Sequence, residues 1–176
     1  AVSDAYPLWL EAELAFVLRD DLPARDAGYS TAEVLAAVEG VAAAIEVVDP
    51  RLVDWPKIPP LAAFADFQAN GATVVSAVGR PAQGLRVEDL TVDFRMGGLV
   101  KAVPGTSYPG EDAVRLLVWL ANNLQVWGPA MTGRGLKAGD VVISGSWTSV
   151  DRAEPGTTAV NTIAGVGSVA VEIVDG

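Results

Sequence analysis

The chain has 176 residues, 51% of them hydrophobic, with no cysteine and no histidine. That length suits a single domain with a real core, and no apolar run is long enough to span a membrane. A net charge of −10 argues against a nucleic-acid partner, and the lack of cysteine excludes a disulfide framework and fits a reducing cytosol, so a cytoplasmic location is expected.

The opening, Ala1 to Pro7, carries neither the basic nor the apolar region of a signal peptide. From Trp9 to Leu18 the chain is short, apolar and rich in strand formers apart from Glu11 and Glu13, which predicts a strand. A polar loop follows from Arg19 to Gly28. Ser30 and Glu33 have capping-box spacing and predict a short helix through about Glu39, stopped by Gly40. Val41 to Val48 reads as a second strand, interrupted only by Glu46. Pro50, Pro56, Pro59 and Pro60 make residues 51–60 a loop. A helical stretch from Leu61 to Asn70, ended by Gly71, and a strand from Ala72 to Val78 come next.

Beyond a polar linker, residues 90–94 and 99–103 predict a hairpin about Met96, Gly97 and Gly98. The longest helix is expected from Gly110 to Trp127, with Val114, Leu117, Val118, Ala121 and Leu124 at helical spacing. Three strands close the chain, over residues 140–144, 158–163 and 168–174. The expected class is α+β, strand-rich, with one substantial helix. Gly133-Arg134-Gly135 is too short for a dinucleotide fingerprint.

The three glutamates carry the chemical signal. On a strand, residues i and i+2 project from the same side, so the Glu11 and Glu13 side chains leave one face roughly 7 Å apart. Glu46 follows four apolar residues and precedes two more, the pattern of a strand buried on both faces, where an unpaired carboxylate is rare. Two readings follow: the solvated face of an edge strand, or three carboxylates around one cation. With no histidine or cysteine, a metal site must use oxygen ligands, which points to Mg²⁺ or Mn²⁺ over Zn²⁺.

Several motifs in order resemble the 2-keto-4-pentenoate hydratase and 4-oxalocrotonate decarboxylase group of the fumarylacetoacetate hydrolase superfamily. They are Glu11-Ala-Glu-Leu-Ala-Phe-Val-Leu18, Asp21-Leu-Pro23, Ala44-Ile-Glu-Val-Val-Asp-Pro-Arg51, Asp54-Trp55, Trp119-Leu-Ala-Asn122, Ala138-Gly-Asp-Val-Val-Ile-Ser-Gly-Ser-Trp-Thr148, Pro155-Gly156 and Gly165-Val-Gly-Ser-Val169. The resemblance implies a mixed β-sheet roll with flanking helices, homo-oligomeric assembly, and a Mg²⁺ or Mn²⁺ ion held by Glu11, Glu13 and Glu46. It covers one catalytic domain over residues 1–176. Family hydratases carry an earlier segment with a lysine in a Lys-x-Gly-x-Thr stretch, and the chain is expected to lack it. The family's Ala-Asp-Asn stands here as Ala65-Asp66-Phe67.

The activity this implies is hydration of a 2-hydroxy-2,4-dienoate to a 4-hydroxy-2-oxo acid. Alternatives are decarboxylation of the 4-oxalocrotonate type, hydrolytic C–C cleavage of an acylpyruvate, or a non-catalytic role in a hetero-oligomer with a related enzyme. Without histidine, proton transfer falls to carboxylate, lysine, tyrosine or water, which makes Asp49, Asp66 and Lys57 candidates. Against these stand a turn role for Asp49 before Pro50, a solvated helix position for Asp66 and a surface position for Lys57. Arg51 is a candidate for a substrate carboxylate or for pairing with Asp54. Ser144, Ser146 and Thr148 can bind the substrate carboxylate or simply close a turn. Among the five tryptophans, Trp147 is the expected pocket wall.

Overall fold

Alternation along the first strand sorts its side chains onto two faces. In the computed structural model, which describes residues 8–127 and 135–174, β1 runs Trp9–Leu18. Its even-numbered residues Leu10, Ala12, Leu14, Phe16 and Leu18 enter the main core, while Ala15 joins a separate small cluster with Ala42 and Ala44. Glu11 and Glu13 lie on this second face, as the period of two requires.

Ser30 caps α1 (Thr31–Ala37) with the predicted reciprocal box: its hydroxyl accepts from the Glu33 N–H, and the Glu33 carboxylate accepts from the Ser30 N–H. The helix passes directly into β2 (Val38–Val48) at Val38. Glu39 and Gly40 are therefore strand residues, not a helix end. Gly40 answers to packing, since a Cβ there would lie 2.4 Å from the Arg80 carbonyl oxygen.

Residues 51–59 form the expected loop, followed by α2 (Pro60–Ala65) and a 3₁₀ turn at Phe67–Ala69. Phe67, Gln68 and Ala69 all have left-handed backbones, with φ of 53°, 55° and 63°. Such a run is costly outside glycine, and it delivers the chain abruptly into β3 (Asn70–Val75). This strand starts earlier and stops earlier than the residue pattern predicts.

The hairpin forms as β4 (Thr91–Met96) and β5 (Leu99–Pro104), turning at Gly97, whose φ is +56°. The long helix α3 (Ala113–Trp127) starts three residues later than expected and buries Ala113, Leu117 and Ala121. Then come β6 (Val141–Ile143), β7 (Asp151–Arg152), β8 (Thr158–Ile163) and β9 (Gly167–Glu172). Sequence pattern missed β7, which is too short to show alternation.

One sheet has the order β3-β2-β1-β6, with β7 also on β1, and the other β5-β4-β8-β9. Every ladder between described strands is antiparallel. The sheets pack through β2 against β8 and β9, with α1 against α3 at the flank, so an α+β roll forms. Asn161, on β8 and fully buried, donates its two amide hydrogens to the carbonyls of Glu13 and Ala44, a register pair of the first sheet. No helix among the described residues is long and apolar enough to cross a membrane. Ala1 to Pro7, Gly133, Arg134 and the side chain of Trp127 lie outside the described residues.

Candidate metal centre

The β1–β2 register sets Glu46 directly across from Glu11, with Glu13 opposite Ala44. All three carboxylates thus leave the same face of neighbouring strands, and one oxygen of each lies within 4.8 Å of the others. Glu13 is 1% exposed and Glu46 8%, while Glu11 is half-buried. The solvated-edge reading fails for Glu13 and Glu46, because both are buried and β1 and β2 are both inner strands of their sheet.

Burial pushes the Glu13 carboxyl up to about 9, helped by its hydrogen bond to Glu46 and the Glu46 charge, and opposed by the Gly145 N–H. Burial likewise raises Glu11 to about 7, with the Glu46 and Asp151 charges adding to the effect. The neighbouring donors are few. Gly145 N–H reaches Glu13 Oε2 at 2.7 Å, and Asn70 Nδ2 reaches Glu46 Oε1 at 2.6 Å. Each of these bonds engages one oxygen of its carboxylate. A divalent ion with oxygen ligands at about 2.0–2.5 Å spans such a set, and its charge offsets the crowding that raises the two carboxyls. The donor set fits Mg²⁺ or Mn²⁺.

The segment after β6 fixes β1 at the site. Ser144 N–H donates to Leu14, Trp147 N–H to Ala12, and Ala12 N–H to Thr148 Oγ1. Ala12 separates Glu11 from Glu13, so this clip sets the spacing of two of the carboxylates. Thr148 is buried and engaged in structure through that bond and a second one to the Ser149 carbonyl. Ser144 Oγ accepts from Trp147 Nε1 at 3.4 Å, and its carbonyl accepts from the Tyr108 hydroxyl. Ser146 Oγ is buried without a partner among the described residues.

Arg51 and Asp66 are brought together. Arg51 Nε meets Asp66 Oδ1 at 2.5 Å, its backbone N–H meets the other oxygen, and its guanidinium also reaches the carbonyls of Asp66 and Asn70. The Arg51 guanidinium holds the Asp66 carboxyl below the usual range. Arg51 pairs with neither Asp54 nor open space, and Asp66 is no solvated helix residue. Their clamp secures the turn before Asn70. Asp49, half-buried just past β2, donates its N–H to the Ala69 carbonyl. Lys57 is exposed on the loop, with its N–H on the Asp54 carbonyl.

A cleft of about 260 Å³ opens between α3 and β6, lined by Phe16, Leu116, Leu117, Trp119, Leu120, Val142 and Ile143 and closed by Ser144 and Gly145. Gly145, whose N–H holds Glu13, is one of its lining residues. Trp119, not Trp147, forms its wall; Trp147 lies buried and stacked on Tyr108 at 4.9 Å. Sequence reasoning missed Asn70, Tyr108, Lys101 and Asp151. No local motif marks them, because each reaches the site from a different element.

Comparison with known proteins gives a consistent picture. The family model for the fumarylacetoacetate (FAA) hydrolase C-terminal region matches residues 3–174. A 2-keto-4-pentenoate hydratase of Paraburkholderia xenovorans (strain LB400) is 31% identical over 164 residues, covering 93% of this chain and 58% of the relative. A 2-hydroxyhexa-2,4-dienoate hydratase of Comamonas testosteroni is 31% identical over 171 residues, covering 94% and 60%. The fold resembles 4-oxalocrotonate decarboxylase from Pseudomonas putida G7, complexed with magnesium and adipate, at a TM-score of 0.76 and 23% identity, over 96% of this chain and 61% of that one. It also resembles maleylpyruvate hydrolase from Sphingobium sp. SYK-6 with manganese (II) ion and pyruvate, at 0.62 and 17%, over 99% and 57%. The chain thus spans 58% and 60% of the lengths of the two curated relatives.

Proposed function

The chain belongs to the fumarylacetoacetate hydrolase C-terminal family, and from that premise we propose that it is a divalent-metal-dependent hydratase. It adds water to a 2-hydroxy-2,4-dienoate of the 2-oxo-4-pentenoate type and yields a 4-hydroxy-2-oxo acid. The observation that carries the reading is the convergence of Glu11, Glu13 and Glu46 on one buried face. These three would hold Mg²⁺ or Mn²⁺, whose Lewis acidity stabilises negative charge developing on a 2-oxo group.

The remaining roles fall to the chain's own groups. Gly145 N–H and Asn70 Nδ2 orient Glu13 and Glu46. Ser146 Oγ, buried and unpartnered, is the hydroxyl to bind the substrate carboxylate, with Ser144 and Thr148 shaping the loop around it. The apolar cleft at Gly145 receives the hydrocarbon end of the dienoate and keeps water from it. Asp49, whose carboxylate has no partner among the described residues, is the proton-transfer candidate. Asp66 is held ionised by Arg51, which suits a clamp better than a proton carrier.

Hydration is favoured over decarboxylation of a dicarboxylate by the cations. A second carboxylate wants a bidentate arginine or its equivalent. Arg51 is committed to Asp66, and among the described residues the cleft lining holds no charged side chain. A homo-oligomer in the cytoplasm accompanies this reading, and exposed Leu61, Phe64 and Phe67 offer apolar surface for assembly.

The test is to give the purified protein Mg²⁺ with either 2-hydroxypenta-2,4-dienoate or 4-oxalocrotonate. Formation of 4-hydroxy-2-oxopentanoate, lost in Glu46→Gln, is expected. CO₂ release from the dicarboxylate without hydration of the dienoate overturns the assignment, and metal binding with neither reaction leaves a non-catalytic partner.

A further inference from the structure

Strand register gives the glutamate face a direction. Arg152, on β7, lies across from Trp9 on β1, and Trp9 shares a face with Glu11 because the two stand two residues apart on the strand. Arg152 is therefore a diagonal neighbour of Glu11, about 7–8 Å away at the backbone, a span that a long side chain reaches. Glu46 lies across from Glu11 on the other side. Toward the far end of β1 the same face turns apolar: Ala15 lies across from Ala42 and from Ile143, and Ala44 across from Val75. A cation, three carboxylates and an apolar floor thus follow one another along one strand. Ile143 also lines the cleft beside α3.

A 2-oxo acid would bring a fourth negative charge to the three glutamates, against the two positive charges of one divalent ion. A cation on the same face offsets that excess. Arg51 is committed to Asp66 and Lys101 to Asp151, both carboxylates shielded from solvent. Arg152 is held more loosely. Its Nε lies 2.9 Å from Glu154 Oε1, but the two side chains are 57% and 63% exposed, and an ion pair so exposed contributes little. The guanidinium can exchange Glu154 for a carboxylate at the centre, which its planar fork fits with two parallel bonds. A carboxylate accepts several hydrogen bonds, so Ser146 Oγ shares the same group.

We propose that Arg152 is a substrate-binding residue: its guanidinium leaves Glu154 for the carboxylate of a 2-oxo acid at Glu11, Glu13 and Glu46, and so orients the acid with its carboxylate toward Trp9 and its hydrocarbon end toward Ala15 and Ile143. The proposal rests on the reading that the three glutamates bind a divalent cation and receive a 2-oxo acid. Its signature is a sign. If the Arg152–Glu154 pair only ties down the end of β7, removing either partner weakens binding of the acid. If Arg152 binds the acid, removing Glu154 releases the guanidinium and does not weaken it.

The experiment is calorimetric titration of the Mn²⁺-loaded chain with 2-oxopentanoate, a saturated analogue that cannot be hydrated, and with the dicarboxylate 2-oxoadipate. Wild type, Arg152→Gln, Arg152→Lys and Glu154→Gln are compared, each checked for folding by circular dichroism. Arg152→Gln is expected to weaken 2-oxopentanoate binding roughly tenfold or more, and Arg152→Lys about threefold, while Mn²⁺ affinity stays within about threefold of wild type. Glu154→Gln is expected to bind the acid as tightly as wild type or up to about threefold tighter. Unchanged 2-oxopentanoate affinity in Arg152→Gln, weakening in Glu154→Gln, or a loss confined to 2-oxoadipate overturns the proposal. Should Arg152→Gln fail to fold, Arg152→Lys and Glu154→Gln still decide it. Wild type that binds Mn²⁺ but not the acid overturns the proposal and spares the metal centre, whereas wild type that binds no Mn²⁺ overturns the metal-centre reading beneath it.

Discussion

Glu13→Gln tests the energetics of the centre without any substrate. Glu13 is 1% exposed, and burial first, then its hydrogen bond to Glu46 and the Glu46 charge, raise its carboxyl to about 9 against an ordinary value of 4.5. Between those values the metal-free folded chain holds a proton that the unfolded chain has lost. Stability must then fall as pH rises across that window, by at most ~1.4 kcal/mol per pH unit for one proton. Over two units, from about pH 5.5 to 7.5, the ceiling is ~2.7 kcal/mol, and water entering the opened site brings the expectation to about 1–2 kcal/mol. Glu11, at about 7 and half-buried, acts in the same direction to a smaller extent. Glu33 and Asp66, held low by arginines, contribute with the opposite sign and only at more acidic pH, as their carboxylates protonate below the ordinary range.

The assay is urea unfolding in chelator at several pH values. Wild type should lose stability toward pH 7.5, while Glu13→Gln, with a neutral amide still able to accept from Gly145, should show a shallower slope and exceed wild type at the upper end. Excess Mg²⁺ should reverse the wild-type trend, because the ion binds the deprotonated ligands, and should leave the variant nearly unchanged. Wild-type stability that rises with pH in chelator, or a variant slope parallel to it, refutes the reasoning.

Glu46→Gln should weaken Mn²⁺ binding at least about 100-fold in titration while its circular dichroism stays that of wild type, since a neutral amide replaces an inner-strand ligand. Asn161→Ala should cost about 2–4 kcal/mol in denaturant unfolding, because the carbonyls of Glu13 and Ala44 both lose the donor that spans the sheets. Asp49→Asn should lower kcat at least tenfold with Mn²⁺ affinity unchanged, and an equal kcat removes Asp49 from proton transfer.

Much of this architecture is local and therefore readable along the chain. A period of two places Glu11 and Glu13 on one side of any strand they form, and the alanines and branched residues around Glu46 commit it to the interior whatever its neighbours. The Ser30 and Glu33 box and the paired glycines after Met96 likewise act within a few residues of themselves. What needed the tertiary structure is every partnership across chain distance. Gly40 reads as a helix stop until the Arg80 backbone is seen against it. Arg51 looks available to a substrate until Asp66 folds back onto it. Lys57 is the lysine closest to the triad in the chain, yet Lys101 is the one bonded to Thr148, whose hydroxyl holds the Ala12 N–H between Glu11 and Glu13. Periodicity states which face a side chain takes but not what meets it there. The choice of partner emerges from strand register, and register is set by the packing of whole faces, a sum over many residues that no single segment contains.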